Sequence, residues 1–102
     1  MKRINKLYPR IRALRIDSDL NQTTVAKVLD MSQTGYSKYE TGENDISPSL
    51  LVNLAYFYDV SVEYLLGISD SKEYYERTRQ QTELYQHYRK AYMDLYKKKH
   101  SS

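Results

Sequence analysis

The sequence contains no cysteine, and its 102 residues include only three glycines and two prolines. Without cysteine there is no disulfide, no zinc finger and no thiol catalysis, and an intracellular location is favoured. The three scattered glycines do not form a glycine-rich phosphate loop. No apolar run approaches the roughly 18 residues that a membrane span needs, and the first residues lack the apolar stretch of a signal peptide. We therefore expect a small cytoplasmic protein.

Patterns that would indicate catalysis or metal binding are also missing. His87 and His100 are far apart in a polar segment, and no nearby residue supplies a third ligand. No Ser/His/Asp arrangement and no paired carboxylates stand out. The residues after Ser69 are too few to enclose a small-molecule pocket alone. We expect no enzyme, no metal, no cofactor and no small-molecule ligand.

Positive charge is concentrated at both ends of the chain, although the formal net charge is only +3. Every charged residue before Asp17 is basic, whereas acids dominate from there to Ser69. Near the other end, three consecutive lysines stand at 97–99. Basic ends suit a polyanionic partner. For the lysine tail, a merely solvated face is the alternative interpretation.

Two capped helical patterns follow each other closely in the first half of the chain. Asn21 and Ser32 are good N-caps for two helices joined by about four residues, and Gly42 ends the second. Two such helices form a helix-turn-helix, whose second helix can enter the major groove of DNA.

Three further helices complete the prediction for residues 1–69, and no sustained alternation predicts a strand. Pro9 suits the first position of a helix whose inward residues are Ile11 and Leu14, with Ile16 as a further candidate. Ser47 and Pro48 begin the fourth helix. The fifth runs from its cap at Ser61 to Gly67. We therefore predict an all-α fold with a five-helix domain.

Residues 70–99 read as a separate, tyrosine-rich amphipathic helix, followed by a short tail at 100–102. Asp70 and Glu73 resemble a capping box at its start. Apolar and aromatic residues form a heptad seam that is weak at first and sound in its second half. The full seam is Tyr74, Thr78, Gln81, Tyr85, Tyr88, Tyr92 and Leu95. An exposed aromatic stripe indicates a contact, so the helix either packs on the five-helix domain or dimerises, and dimerisation is favoured.

Residues 7 to 68 resemble the Cro-like repressor domain of the XRE family, a five-helix domain found in many phage and bacterial repressors. The resemblance depends on short fragments in a specific order and spacing and does not extend beyond Asp70. These fragments are Leu14-Arg15, Leu20-Asn21-Gln22, Val25-Ala26, Ser32, Tyr39-Glu40, Gly42 and the run from Ser61 to Gly67.

The resemblance implies roles for individual residues. Bases would be read by the first turns of the third helix, at Ser32, Gln33, Thr34, Ser37 and Lys38. Phosphate would be contacted by Asn21 and Gln22. Arg15 and Glu40 would form a partly buried salt bridge between the first and third helices, with Arg15 also a candidate phosphate contact. Arg10 is a further phosphate candidate, because an arginine near a helix N-terminus opposes the helix dipole and so indicates an external anion.

Three departures from the family pattern affect this interpretation. Gly35 lies within the third helix, where glycine either permits close approach to DNA or merely lacks a side chain. Asp30 replaces the glycine that the family favours in the turn, and aspartate tolerates left-handed geometry. After Gly42, acidic Glu43 and Asp45 stand where many relatives carry basic residues, which weakens the case for a phosphate contact there.

The sequence therefore predicts a sequence-specific DNA-binding transcriptional regulator, most simply a repressor that binds double-stranded DNA as a homodimer. Tyr85, Tyr88, Tyr92 and Leu95 would supply the dimer contact. The alternative is a protein of the antitoxin or phage-accessory type. In that case the C-terminal helix would bind a partner protein, and DNA binding would be autoregulatory.

Overall fold

The structure, a computed structural model, describes residues 8–73 and 83–100. These residues form six α-helices and no strand, which confirms the predicted all-α class. The helices are α1 (Pro9–Asp17), α2 (Gln22–Val28), α3 (Gln33–Glu40), α4 (Pro48–Tyr58), α5 (Val62–Leu66) and α6 (Glu83–His100). In the described ranges, none of these helices combines the length and apolar character needed to cross a membrane.

Local capping signals set the boundaries of the first five helices. Pro9 and Pro48 occupy the first positions of α1 and α4, as predicted. Gly42 and Gly67 follow α3 and α5 with φ angles of 82° and 80°, a left-handed conformation that glycine adopts without steric cost. Each predicted N-cap side chain accepts a hydrogen bond of 2.8–3.2 Å from the backbone N–H three residues later, at Asn21, Ser32, Ser47 and Ser61.

The hydrophobic core lies between the first five helices, α1 to α5. Its largest fully buried side chains include Tyr36, Phe57 and Ile11. Leu14 is half-buried, as its predicted position on the inward face of α1 requires, but Ile16 is 50% exposed. Placing Ile16 inward was wrong, because five residues after Ile11 correspond to a rotation of about 140° around the helix.

The predicted helix start at Asp70 was wrong. Residues 70–73 are not helical; instead, their backbone binds the start of α5. The Ser61 N–H donates to the Lys72 carbonyl at 2.9 Å, and the Ser61 hydroxyl donates to the Ser71 carbonyl at 3.1 Å. The seam residues Tyr74, Thr78 and Gln81 lie outside the described residues.

Helix α6 packs against α4 and contributes to the same core as the first five helices. Tyr88 is buried, and the rings of Phe57 and Tyr92 meet edge to face with centroids 5.1 Å apart. Tyr85 Oη donates to Asp59 Oδ1 at 3.1 Å, and Leu95 packs on the core.

This packing decides between the two alternatives for the second half of the seam. Tyr85, Tyr88, Tyr92 and Leu95 contact the chain's own core, so their assignment to a dimer interface is corrected. Tyr88 is buried and cannot face a second copy unless α6 detaches, whereas Tyr85, Tyr92 and Leu95 are half-buried by the same packing. The structure therefore shows the seam as an intramolecular contact.

Candidate nucleic-acid interface

Helices α2 and α3 are joined by residues 29–32 in a tight turn. Asp30 takes a φ of 63° there, so this aspartate adopts the left-handed conformation for which the family favours glycine. The Met31 N–H donates to the Ala26 carbonyl at 3.0 Å and closes the end of α2. Val25, Ala26 and Tyr36 point into the core. Because these side chains anchor both helices, their opposite faces are fixed at the surface.

The outward surface of α3 carries the five predicted base-reading residues. Ser32, Gln33 and Thr34 are exposed, whereas Ser37 and Lys38 are half-exposed. Ser32 is also the N-cap, and a Cβ placed on Gly35 would lie only 3.1 Å from Ser32 Oγ. The start of α3 is therefore polar, and it leaves little space for a side chain at position 35.

Beneath this surface, Glu40 is buried at the end of α3 and accepts four hydrogen bonds. Arg15 donates two of them, from Nε to Oε2 at 2.7 Å and from Nη2 to Oε1 at 3.0 Å. Tyr36 Oη donates to Oε2, and Gln22 Nε2 donates to Oε1 at 3.0 Å. The ion pair predicted for Arg15 and Glu40 is thus present, in a bidentate form with good geometry.

The same network reaches the surface through two glutamines. Gln22 uses its amide nitrogen on Glu40, and its oxygen accepts a hydrogen bond of 2.6 Å from Gln33 Nε2. A continuous path of hydrogen bonds therefore links buried Arg15 to the exposed first residue of α3. It orients Gln33, whose side chain is exposed at the surface.

The charges in this network are stabilised by their partners. Burial raises the pKa of Glu40, but the hydrogen bonds from Arg15, Tyr36 and Gln22 outweigh that effect and hold the pKa below its ordinary value. The hydrogen bond to Glu40 raises the pKa of Arg15. Burial raises the pKa of Tyr36, so its hydroxyl stays protonated and donates. The pair is therefore ionised at neutral pH.

Lys38 lies at the other end of the predicted base-reading surface. Its Nζ is 3.6 Å from Glu43 Oε2, and the two side chains are 44% and 63% exposed. An exposed pair of this kind contributes little stability. Lys38 can therefore leave Glu43 for another hydrogen-bond acceptor at a small cost in free energy.

The structure does not support a phosphate role for Arg10 or Arg15 of α1. Arg10 donates from Nη1 to the Tyr64 carbonyl at 2.9 Å and from Nη2 to Asp70 Oδ1 at 2.8 Å, and it stacks over the Tyr64 ring. Arg15 is only 12% exposed and also donates to the Leu20 carbonyl at 3.0 Å. Both assignments are corrected, because internal partners already occupy these guanidinium groups.

Sequence reasoning missed the hydrogen bonds that Gln22 and Tyr36 donate to Glu40. Tyr36 and Glu40 are four residues apart on α3, a spacing that brings side chains into contact and could have indicated their hydrogen bond. No comparable spacing indicates the bond between Gln22 and Gln33, because it joins two helices.

Comparison with known proteins gives two findings. A family model described as Helix-turn-helix matches residues 11–65, a range that spans α2 to α4 and most of α1 and α5. Over 64 residues the chain is 34% identical to YobD, described as an uncharacterized HTH-type transcriptional regulator, from Bacillus subtilis (strain 168). The match covers 63% of this chain and 57% of that relative, so the chain spans little more than half the relative's length. No solved structure gives a significant match.

Proposed function

This chain belongs to the XRE family of helix-turn-helix proteins, and from that membership we propose that it is a sequence-specific DNA-binding transcriptional regulator. Helix α3 enters the major groove, and its exposed residues contact base edges. Asn21 and Gln22, at the start of α2, contact the adjacent phosphates. Such a regulator acts in the cytoplasm, where its DNA is.

The observation that carries this proposal is the hydrogen-bonded path that ends at Gln33. A glutamine can pair with adenine through two hydrogen bonds, which requires one amide orientation. The bond to Gln22 restricts Gln33 before DNA arrives, so less side-chain entropy is lost on binding. Lys38, held only by an exposed acid, suits a guanine.

We further propose that the protein is a repressor that binds as a dimer. Two copies with their α3 helices about one DNA turn apart would read a palindrome or a direct repeat. The second recognition event then occurs at a high effective concentration, which raises affinity. Bound across a promoter, the dimer would block access to it.

The test is a gel shift with DNA from upstream of the protein's own gene and with random DNA, at about 150 mM salt, where non-specific contacts are weakened. We expect Gln33→Ala and Lys38→Ala each to weaken binding to the specific DNA by about 1–3 kcal/mol. Lys90→Ala is the matched control, since Lys90 lies on α6 and pairs with Asp94. Equal losses on both DNAs would contradict base reading.

A second candidate function has support from α6. Met93 and Tyr96, neighbours on its outward face, are 38% and 47% exposed, whereas Tyr88 on the opposite face is buried. Exposed apolar groups of this kind fit a protein partner, as in an antitoxin. If Met93→Glu abolished binding to the product of a neighbouring gene while leaving the gel shift intact, this function would be supported.

A further inference from the structure

The last turn of α6 carries an exposed cluster of positive charge at Lys97, Lys98 and Lys99. Lysines at this end of any helix interact favourably with its dipole. That effect depends only on the helix itself, so it does not determine where on the molecule the charge lies. The docking of α6 determines it.

Two contacts place the end of α6 beside the turn between α1 and α2. Tyr92 Oη lies 2.9 Å from Ser18 Oγ, and Lys99 Nζ lies 3.8 Å from Asp19 Oδ2. The Lys99 and Asp19 side chains are 40% and 89% exposed. A long, exposed pair of this kind is weak, so Lys99 can exchange Asp19 for a more highly charged anion.

The turn that Lys99 contacts leads directly to the proposed DNA surface. Hydrogen bonds in both directions between Arg15 and Leu20 hold this turn, at 3.1 and 3.0 Å. Asp19 is two residues from Asn21, so their Cα atoms are at most about 7 Å apart. Gln22 follows and contacts Gln33 of α3. Lys99, at the end of the lysine cluster, therefore lies beside the turn that leads to the proposed reading helix.

We propose that Lys97, Lys98 and Lys99 form a second DNA-contact site, which binds the phosphodiester backbone just outside the base pairs that α3 reads. The inference rests on the proposed function, because that function orients α3 toward DNA. Charge complementarity selects the ligand: lysine ammonium groups bind phosphates as point charges and add affinity without sequence preference. Helix α6 thus extends the DNA surface beyond the helix-turn-helix.

The test measures Kd by fluorescence anisotropy for the full chain and a random-sequence duplex of about 30 base pairs, at salt concentrations between 50 and 200 mM. Each phosphate contact adds about 0.9 to the slope of log Kd against log salt. The variant Lys97→Gln/Lys98→Gln/Lys99→Gln should therefore lose up to about 2.7 of that slope. From 50 to 200 mM salt, the fold-increase in Kd should therefore be about 40 times smaller for the triple variant than for the unmodified chain.

Single substitutions give a matched comparison if the triple variant is unstable. Lys99→Gln and Lys90→Gln remove the same charge from one helix at positions about 13 Å apart, and only Lys99→Gln should lower the slope, by about 0.9. Asp19→Asn keeps a residue that tolerates the left-handed φ of 58°. It should tighten binding several-fold, because it removes a competing carboxylate.

The outcomes separate this inference from the function on which it rests. A slope unchanged in the triple variant, or lowered equally by Lys90→Gln, would overturn the second site and leave the regulator intact. Absence of binding by the unmodified chain to both random and upstream DNA would overturn both. A loss of slope with unchanged preference for upstream over random DNA would support the site.

Discussion

The substitution Arg15→Met should destabilise the fold strongly, because it leaves a buried carboxylate without its counter-ion. The Glu40 side chain is 2% exposed and would lose two of its four hydrogen bonds. Breaking a buried pair in this way costs about 3–5 kcal/mol. Protonation of Glu40 limits the penalty, because a buried carboxylate that has lost its counter-ion takes up a proton more readily. We therefore expect a loss of about 4 kcal/mol at pH 7, a large part of a small domain's stability.

Urea denaturation followed by circular dichroism gives the free energy of unfolding by linear extrapolation. The control is Arg15→Met/Glu40→Leu, which removes both charges and should recover part of the loss. The difference between Arg15→Met and the unmodified protein should shrink from pH 7 to pH 5, since unpaired Glu40 then protonates more easily. A loss below about 1 kcal/mol, typical of an exposed pair, would refute the reasoning.

Four further predictions follow from buried groups. Tyr36→Phe should cost about 1–3 kcal/mol because Glu40 loses a hydrogen bond. Tyr58→Phe should be neutral or stabilising in the same urea assay, since no partner for the buried Tyr58 hydroxyl lies among the described residues. The lowered pKa of Glu40 adds stability that is fully present above about pH 4.3, the ordinary pKa of a glutamate. The free energy of unfolding should therefore fall as pH is lowered further, and this fall should be smaller in Glu40→Gln. Tyr88→Ala, which empties a core position, should lower stability by about 3–5 kcal/mol, and an unchanged melting temperature would contradict the packing of α6.

The parts of the fold that short-range chemistry determines could be predicted from the sequence. Asn21 and Ser32 cap helices because their side chains reach the backbone three residues later, and Gly67 ends one because its φ is positive. The start of the last helix could not be predicted in this way. Asp70 and Glu73 have the residue types of a capping box, but Ser61 and Arg10, distant in sequence, bind the segment in another conformation.

The candidate site shows the same division. The exposure of Gln33 and Thr34 could be predicted from helical periodicity, because other residues of α3 occupy the face that packs on the core. The docking of α6 depends on Phe57 and Ser18, which nothing near Tyr92 in the sequence indicates. An aromatic seam predicts burial without identifying the surface that covers it.

The hydrogen-bonded path from Arg15 to Gln33 also divides the residues of the proposed base-reading surface into two groups. The groups differ in how much stability a substitution costs. Among the described residues, neither Thr34 nor Lys38 forms a hydrogen bond or ion pair with Glu40, so substitutions there could alter the proposed base preference at little cost in stability. A change at Gln33 removes a partner of Gln22, which in turn contacts buried Glu40. New operator preferences are therefore expected to arise first at Thr34 and Lys38. Change at Gln33 is expected later, because it also removes the hydrogen bond to Gln22.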